Sequence, residues 1–204
     1  TPVSDEMGEP SEKVKTILLR CEGKKVLLTV ARLVRRKGHE YVITALSDVR
    51  KKSIDAVYLI VGEGPMQHEL EELVSTLNLT DRVIFTGVVS DDDISHFMKR
   101  CDVFIMTPVT IDGDVEGFGI VYLDAGMYGK PVIGSRSGGV SEAVIDGVTG
   151  LLVDEKDSSQ IRDAIVKLCL DDTLAKRLGV QGRERVLKEF RIEKEVQKLK
   201  VFVV

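Results

Sequence analysis

Cysteine is scarce in this sequence, and the few cysteines are not paired. The 204 residues include three, Cys21, Cys101 and Cys169, which lie far apart and form no Cys-x-x-Cys motif. An odd number of scattered cysteines argues against a disulfide framework and favours a reducing compartment. We therefore expect a cytoplasmic protein.

Long hydrophobic runs are absent, and so is an excess of positive charge. No apolar run approaches the ~20 residues needed to span a bilayer, and residues 1–6 have neither the basic nor the apolar part of a signal peptide, so we expect a soluble chain. The sequence has 29 Lys and Arg against 33 Asp and Glu, a formal net charge of −4. This balance predicts no general attraction to nucleic acid or anionic lipid, so an anionic ligand must be held by local cations and amides.

Metal-binding patterns are also lacking. The three histidines have no metal-ligand spacing, and no Ser-His-Asp or Cys-His arrangement is legible. Ser90 followed by aspartates at 91–93 is typical of a capped helix start with an acidic first turn. The Asp-Gly-Asp at 112–114 leaves a metal contact open as an alternative, but we expect no metal.

Short β-type runs alternate with helical patterns along most of the chain. Six runs are almost continuously apolar, as strands buried on both faces must be: 26–30, 56–61, 83–87, 103–108, 131–135 and 150–153. Apolar spacing between and after them predicts helices over 42–49, 70–77 and 161–168. This alternation predicts an α/β fold, a doubly wound, Rossmann-like parallel sheet of about six strands with helices on both faces.

The same patterns suggest three parts of the chain. Residues 1–24 form a polar arm and a first helix capped by Ser11, and residues 25–190 form the predicted Rossmann-like domain. Residues 191–204 form a tail that ends on Val-Phe-Val-Val without a polar close. We interpret the sequence as a segment of a longer protein.

Cations follow the first predicted strand, where a dinucleotide-binding dehydrogenase would carry Gly-x-Gly-x-x-Gly. The glycines are absent, which argues against that class of enzyme. Arg32 offers a planar fork for phosphate oxygens, and Lys37 offers a point charge before a helix. A solvated basic loop is the alternative.

Glycines follow the second predicted strand in the segment Gly62-Glu63-Gly64-Pro65. They permit either a plain tight turn or close approach of the backbone to a ligand, and Pro65 suits the first position of a helix.

The most informative segment follows the fourth predicted strand and contains two acids eight positions apart, Glu116 and Asp124. A helix that begins near Gly119 would aim free amides at the crevice, where an anion binds well. An acid on each side of an anion site suits a ligand with hydroxyls at both ends and phosphates in the middle, which describes a nucleotide sugar. A helix cap with a solvent-facing aspartate is the alternative.

These motifs occur in a fixed order that resembles the C-terminal, donor-binding domain of retaining glycosyltransferases of family 4, the glycosyl transferases group 1 with the GT-B fold. The resemblance covers roughly residues 25–153 by motif and extends to about 190 by pattern. It rests on Arg32 with Lys37-Gly38, Gly62-Glu63-Gly64-Pro65, Glu116-Gly117-Phe118-Gly119 with Asp124, Gly129-Lys130-Pro131, Ser137-Gly138-Gly139 and Gly147-Val148-Thr149-Gly150.

The resemblance implies a role for each of these site residues. Arg32 and Lys37 would offset the charge of the leaving diphosphate without a metal, and Glu116 would bind hydroxyls of the donor sugar. The ribose would bind Asp124, and the chain near Val89 would contact the base. The residues implied to bind the substrate are Gly62, Val89, Gly117, Phe118, Gly119, Ile120 and Asp124.

The resemblance also implies partners and shows departures. The substrate would be a nucleotide sugar, no cofactor is expected, and an N-terminal acceptor domain of the same full-length chain would complete the enzyme, which could associate with the inner face of a membrane. The family usually has Glu at Asp124 and Met at Gly126, and its Gly-Gly-x-Pro-Glu pattern appears as Gly-Gly-Val-Ser-Glu at 138–142. A non-catalytic nucleotide-binding module is the alternative function.

Overall fold

Six parallel strands form one sheet in the order β3-β2-β1-β4-β5-β6. The structure is a computed structural model that describes residues 8–190, so most of the predicted N-terminal arm and the predicted tail lie outside the described residues. The strands are β1 Lys25–Val30, β2 Ala56–Val61, β3 Val83–Gly87, β4 Val103–Ile105, β5 Val132–Ser135 and β6 Gly150–Val153. The strand order reverses between β1 and β4, and ligands of such sheets bind beyond the carboxyl ends of the strands at this point.

One strand is shorter than the sequence predicts. Strand β4 ends at Ile105 rather than at residue 108. Pro108 has no N–H to donate to a neighbouring strand, and the amide of Val109 donates instead to the Arg36 carbonyl, 2.8 Å away in the loop after β1. The apolar run therefore continues as a buried loop that connects β4 to the first loop.

Eight helices accompany the strands within residues 8–190. They are α1 Glu12–Arg20, α2 His39–Arg50, α3 Gln67–Thr76, α4 Asp91–Arg100, α5 Ile120–Met127, α6 Val140–Ala143, α7 Ser158–Leu170 and α8 Asp172–Glu189. None of them is both long and apolar enough to cross a bilayer. A single 3₁₀ turn, Arg35–Lys37, precedes α2.

The helix starts follow capping chemistry where the sequence provides it. The Ser90 hydroxyl accepts a hydrogen bond from the Asp93 amide at 3.2 Å, so the aspartates at 91–93 are the first turn of α4. Pro65 is not the first residue of a helix, because the Met66 amide donates to the Leu33 carbonyl at 3.0 Å and α3 begins only at Gln67.

Helices cover both faces of the sheet, which confirms the predicted doubly wound α/β architecture. On one face α2, α3 and α7 contribute side chains such as Leu46 and Ile165 to a core that also includes Tyr58 of β2. On the other face α1, α4, α5 and α6 form a second core, which includes Val14 and Phe97. The first helix therefore packs in the same core as the strands.

Helix α8 crosses α5 at a contact between small residues. A Cβ at Gly126 would lie 3.0 Å from Val186 Cγ2 and 3.5 Å from the Gly182 carbonyl oxygen. A side chain at 126, where the resembling family usually carries Met, would therefore have to displace the Val186 side chain.

Candidate functional site

The loops after β1 and β4 meet at the carboxyl edge of the sheet, where the strand order reverses. Gly38 has a positive φ of 70°, and a Cβ there would overlap the carbonyl oxygen of Thr107. Glycine is therefore required both by the backbone conformation and by the close approach. The contact brings the cations of the first loop against residues 107–116.

Glu116 lies at the centre of this junction and is only 8% exposed. Its Oε2 atom accepts hydrogen bonds from Lys37 Nζ at 2.5 Å and from Arg36 Nη1 at 2.7 Å. The Arg36 Nε atom lies 3.0 Å from Asp114 Oδ2. The fold thus brings together Lys37 and Glu116, two predicted site residues that are 79 positions apart, and adds Arg36, which sequence patterns did not distinguish from its neighbours.

The backbone of Glu116 is held by the glycine pair that follows β5. The Gly139 amide donates to the Glu116 carbonyl at 3.0 Å. A Cβ at Gly138 would overlap that same carbonyl oxygen, and a Cβ at Gly139 would overlap the carbonyl oxygen of Gly117. The glycines at 138 and 139 therefore position residues 109–116, here called the acidic loop. The departure from the family pattern, Ser141 in place of Pro, leaves both glycines in place.

A third strand end anchors the same segment. Thr110 donates from its amide and its hydroxyl to the Glu155 carboxylate after β6, at 2.8 and 2.7 Å. Burial raises the pKa of Glu155, but the hydrogen bonds from Thr110 and Ser137, together with the charge of Lys156, lower the pKa overall. Residues 109–116 are thus fixed from three neighbouring loops.

Arg32 follows β1 with its side chain exposed and no ion pair or hydrogen bond to it within residues 8–190. Its carbonyl is bonded to Nε2 of the buried His39 at 3.1 Å. Burial lowers the pKa of His39 to about 4, so the imidazole is neutral at physiological pH and donates from Nε2 to this carbonyl. His39 fixes the backbone from which Arg32 extends.

Helix α5 begins at the junction with its amides free. Gly119 caps it in the left-handed conformation at a φ of 73° and has no capping side chain. In the described part of the chain, the amides of Ile120 and Val121 have no backbone partner. A Cβ at Gly117 would meet nothing within 4 Å, so the space before the helix is open. This geometry favours an anion.

Two further predicted residues flank this helix start. The Phe118 ring packs against Phe190, with ring centroids 5.6 Å apart, so the end of α8 supports the loop. Asp124 is the fifth residue of α5 and its side chain is exposed. Protein mass beneath it partly desolvates the carboxyl and raises its pKa.

Gly62 and Val89 lie to the side of this junction, after β2 and β3. A Cβ at Gly62 would overlap the Ala31 carbonyl oxygen, so packing against the first loop already explains the glycine. The Val89 side chain is partly buried against the core that contains α4. Packing against this core leaves only part of the Val89 side chain exposed.

Metal-binding geometry is not found in the described residues. Within 8–190 no group of three or more His, Cys, Asp or Glu is placed to hold an ion. Asp112 and Asp114 lie in a tight turn in which Ile111 and Asp114 exchange backbone hydrogen bonds, and Asp114 is paired with Arg36.

Comparison with known proteins identifies the family to which this chain belongs. The model of the family described as "Glycosyl transferases group 1" matches residues 11–185. The chain belongs to this family. A group 1 glycosyltransferase domain therefore accounts for nearly all of the described structure.

Individual relatives of this glycosyltransferase domain also match most of the chain. A GDP-mannose-dependent alpha-(1-6)-phosphatidylinositol monomannoside mannosyltransferase of Mycobacterium tuberculosis is 38% identical over 180 residues, which is 87% of this chain and 46% of that protein. The chain spans about half the length of the curated relatives it matches.

Two solved structures show how the domain matches. The structure of Anabaena HepE in complex with UDP and glucose is 26% identical, with a TM-score of 0.81 over 96% of this chain and 53% of that one. The C-terminal domain of LpcC, a glycosyl transferase group 1 family protein from Francisella tularensis, is 25% identical, with a TM-score of 0.73 over 91% of this chain and 97% of that domain.

Proposed function

We propose that this domain is the donor-binding half of a retaining, metal-independent glycosyltransferase of family 4 that transfers a hexose-type sugar from a nucleoside diphosphate to a glycan or lipid-linked acceptor. The observation that carries the proposal is the nearly buried Glu116, paired with Lys37 immediately before the free amides of α5. Support also comes from the match along almost the whole length of a C-terminal domain of the same family.

Each part of a nucleotide sugar has a counterpart at this edge of the sheet. The diphosphate would lie over the α5 amides, and its charge would be offset by Lys37 and by Arg32, which has no ion pair within residues 8–190. The sugar would hydrogen-bond to Glu116, and the ribose to Asp124, which is four positions and ~6 Å along the helix from Ile120. The main chain near Gly62 and Val89 would face the base.

The chemistry of transfer would be electrostatic. As the bond between the sugar and the diphosphate breaks, negative charge grows on the departing phosphate oxygen, where Arg32, Lys37 and the helix amides stabilise it. The acceptor hydroxyl would attack from the same face of the sugar, and its proton would pass to the departing phosphate. No step needs a metal ion.

Calorimetric titration of the 204-residue chain tests the donor site. GDP, GDP-mannose, UDP and UDP-glucose are used, because the named relative depends on GDP-mannose and the named structure holds UDP. We expect the chain to bind either the two GDP ligands or the two UDP ligands, and to bind each ligand with the same affinity in EDTA as in Mg²⁺. Binding that requires a divalent ion would contradict the metal-independent proposal.

Arg32→Ala tests the phosphate contact within the same titrations. We expect affinity for the nucleoside diphosphate to fall by about 1.5–3 kcal/mol, the range for hydrogen bonds to charged groups. Arg35→Ala is the matched control, since Arg35 is in the same loop but pairs with Glu69 at 2.8 Å. If the parent chain and Arg32→Ala bound the nucleoside diphosphate with equal affinity, Arg32 would not be part of the binding site.

A further inference from the structure

Arg36 holds the acidic loop at three points, and none of the predicted roles includes it. Its Nη1 donates to Glu116 Oε2 at 2.7 Å and its Nε lies 3.0 Å from Asp114 Oδ2. Its carbonyl accepts from the Val109 amide at 2.8 Å. The Arg36 side chain is 24% exposed, so it lies at the wall of the crevice and does not extend into solvent.

Arg36 and Lys37 share one oxygen of Glu116. Both cations donate hydrogen bonds to Oε2 of Glu116. The Glu116 side chain is 10% exposed and the Lys37 side chain is 15% exposed. Within residues 8–190 no hydrogen bond is made to Oε1 of Glu116. One carboxylate oxygen is thus occupied twice, and the other is open to a ligand.

The double contact matters once an anionic ligand enters. A diphosphate over the α5 amides would draw Lys37 away from Glu116, because a phosphate carries more charge than a carboxylate. Without a second cation, Glu116 would then be a nearly buried carboxylate with no partner, next to another anion. Such an arrangement is strongly unfavourable.

We propose that Arg36 is a positioning residue for the donor sugar: it retains Oε2 of Glu116 when Lys37 binds the diphosphate, so that Oε1 faces the sugar hydroxyls. This inference rests on the proposed function. Asp114, with 71% of its side chain exposed, binds a second N–H of the same planar guanidinium and fixes its orientation. A lysine, with a single point charge, could serve one of the two acids but not hold the same geometry.

The test compares nucleotide and nucleotide-sugar affinities of the 204-residue chain and its variants. Calorimetry uses GDP with GDP-mannose, and UDP with UDP-glucose. For the pair that the parent binds, we expect Arg36→Gln to weaken the nucleotide sugar about tenfold or more and the nucleoside diphosphate less than about threefold. The nucleotide-sugar affinity of Arg36→Lys should lie between those of the parent and Arg36→Gln, and the affinity of Arg35→Gln should equal that of the parent.

A double-mutant cycle provides a readout that a merely structural role would not move. Because Arg36 is proposed to act through Glu116, Arg36→Gln should cause no further loss of sugar affinity in a chain that already carries Glu116→Gln. Independent, additive losses would overturn the inference. So would an equal loss for both ligands in Arg36→Gln, which would make Arg36 a phosphate contact.

Folding and the proposed function are checked separately. Thermal unfolding of each variant shows whether it is folded, and if Arg36→Gln is not, Arg36→Lys carries the same comparison with a smaller expected difference. If the parent chain binds no nucleotide or nucleotide sugar, the proposed function fails and this inference with it. If the parent binds and the Arg36 variants match it, the inference alone is overturned.

Discussion

Asp124 of α5 is the acid proposed to bind the ribose of the donor, whereas Glu116 is proposed to bind its sugar. It is exposed, and both a nucleoside diphosphate and its sugar derivative carry the ribose that it would bind. We expect Asp124→Asn to weaken both ligands by about 1.5–3 kcal/mol, the range for a hydrogen bond to a charged group. Titration of the variant with each ligand measures the two losses.

Two further variants control that experiment. Glu116→Gln should weaken the nucleotide sugar but hardly affect the bare diphosphate. Asp124→Glu, which restores the acid that the family usually carries, should bind within about threefold of the parent, since the exposed side chain leaves room for one more methylene. Undiminished binding of both ligands in Asp124→Asn would show that the ribose lies elsewhere.

His39 makes the stability of the fold depend on pH. Burial lowers its pKa from 6.5 to about 4, the Arg32 carbonyl opposes the shift, and the Lys37 ammonium adds to it. Between the two pKa values the unfolded chain takes up a proton that the folded chain does not, so the free energy of unfolding falls as the pH drops below 6.5. The loss between about pH 7.5 and pH 5 should be about 2 kcal/mol.

Denaturant unfolding at both pH values isolates this contribution. In His39→Gln the pH-dependent loss should be smaller than in the parent by that amount, because glutamine does not titrate. His68→Gln is the control, since the His68 side chain is 83% exposed, and it should follow the parent. Parallel pH dependences for the parent and His39→Gln would contradict the buried, neutral imidazole.

At the scale of elements, the crossing of α5 and α8 depends on Gly126. A methionine there, as the family usually has, would meet Val186 Cγ2, which lies 3.0 Å from the position of a Cβ. We expect Gly126→Met to lower the free energy of unfolding by about 1–3 kcal/mol, as overpacked substitutions do. Urea denaturation measures the change.

A compensating variant shows whether the crossing is the cause. The double variant Gly126→Met with Val186→Ala should lose less free energy of unfolding than the sum of the two single losses, because removal of the valine methyls makes room for the methionine. Gly117→Ala is the control, since a Cβ there meets nothing within 4 Å, and its stability should stay close to that of the parent. Strict additivity of Gly126→Met and Val186→Ala would contradict the contact.

The elements also show how far sequence patterns reach. Buried parallel strands are nearly continuous apolar runs, so β2, β3 and β6 have the predicted bounds. Hydrophobicity does not distinguish a strand from a buried loop, and so the apolar run at 103–108 predicts an end for β4 that is three residues beyond Ile105.

The limits at the candidate site have a similar origin. Sequence patterns singled out Lys37 and Glu116, but which of several consecutive cations meets the acid depends on the 3₁₀ turn at Arg35–Lys37. That turn directs Arg36 and Lys37 towards Glu116 and Arg35 towards Glu69. The support of Glu116 by the glycines at 138 and 139 is a contact between distant loops, and no local pattern encodes it.

At the scale of the whole molecule, binding and transfer should separate. The chain spans 46% of the mycobacterial mannosyltransferase and matches 97% of a solved C-terminal domain. The proposed donor groups all lie within residues 32–124, whereas no group for an acceptor has been identified in the described residues. We therefore expect the 204-residue chain to bind a nucleotide sugar without transferring the sugar.

The physical reason is orientation of the second substrate. Holding two reactants in the right geometry lowers a reaction barrier by about 7–11 kcal/mol. A donor site without an acceptor site loses most of this lowering.

The assay incubates the chain with the nucleotide sugar that it binds and with glycan and lipid-linked acceptors, and follows release of the nucleoside diphosphate. A longer chain that adds an N-terminal acceptor domain should turn over, and Glu116→Gln in that chain should not. Robust transfer by the 204-residue chain would contradict the two-domain proposal, and a longer chain that binds the nucleotide sugar but transfers it to no acceptor would favour the non-catalytic binding module.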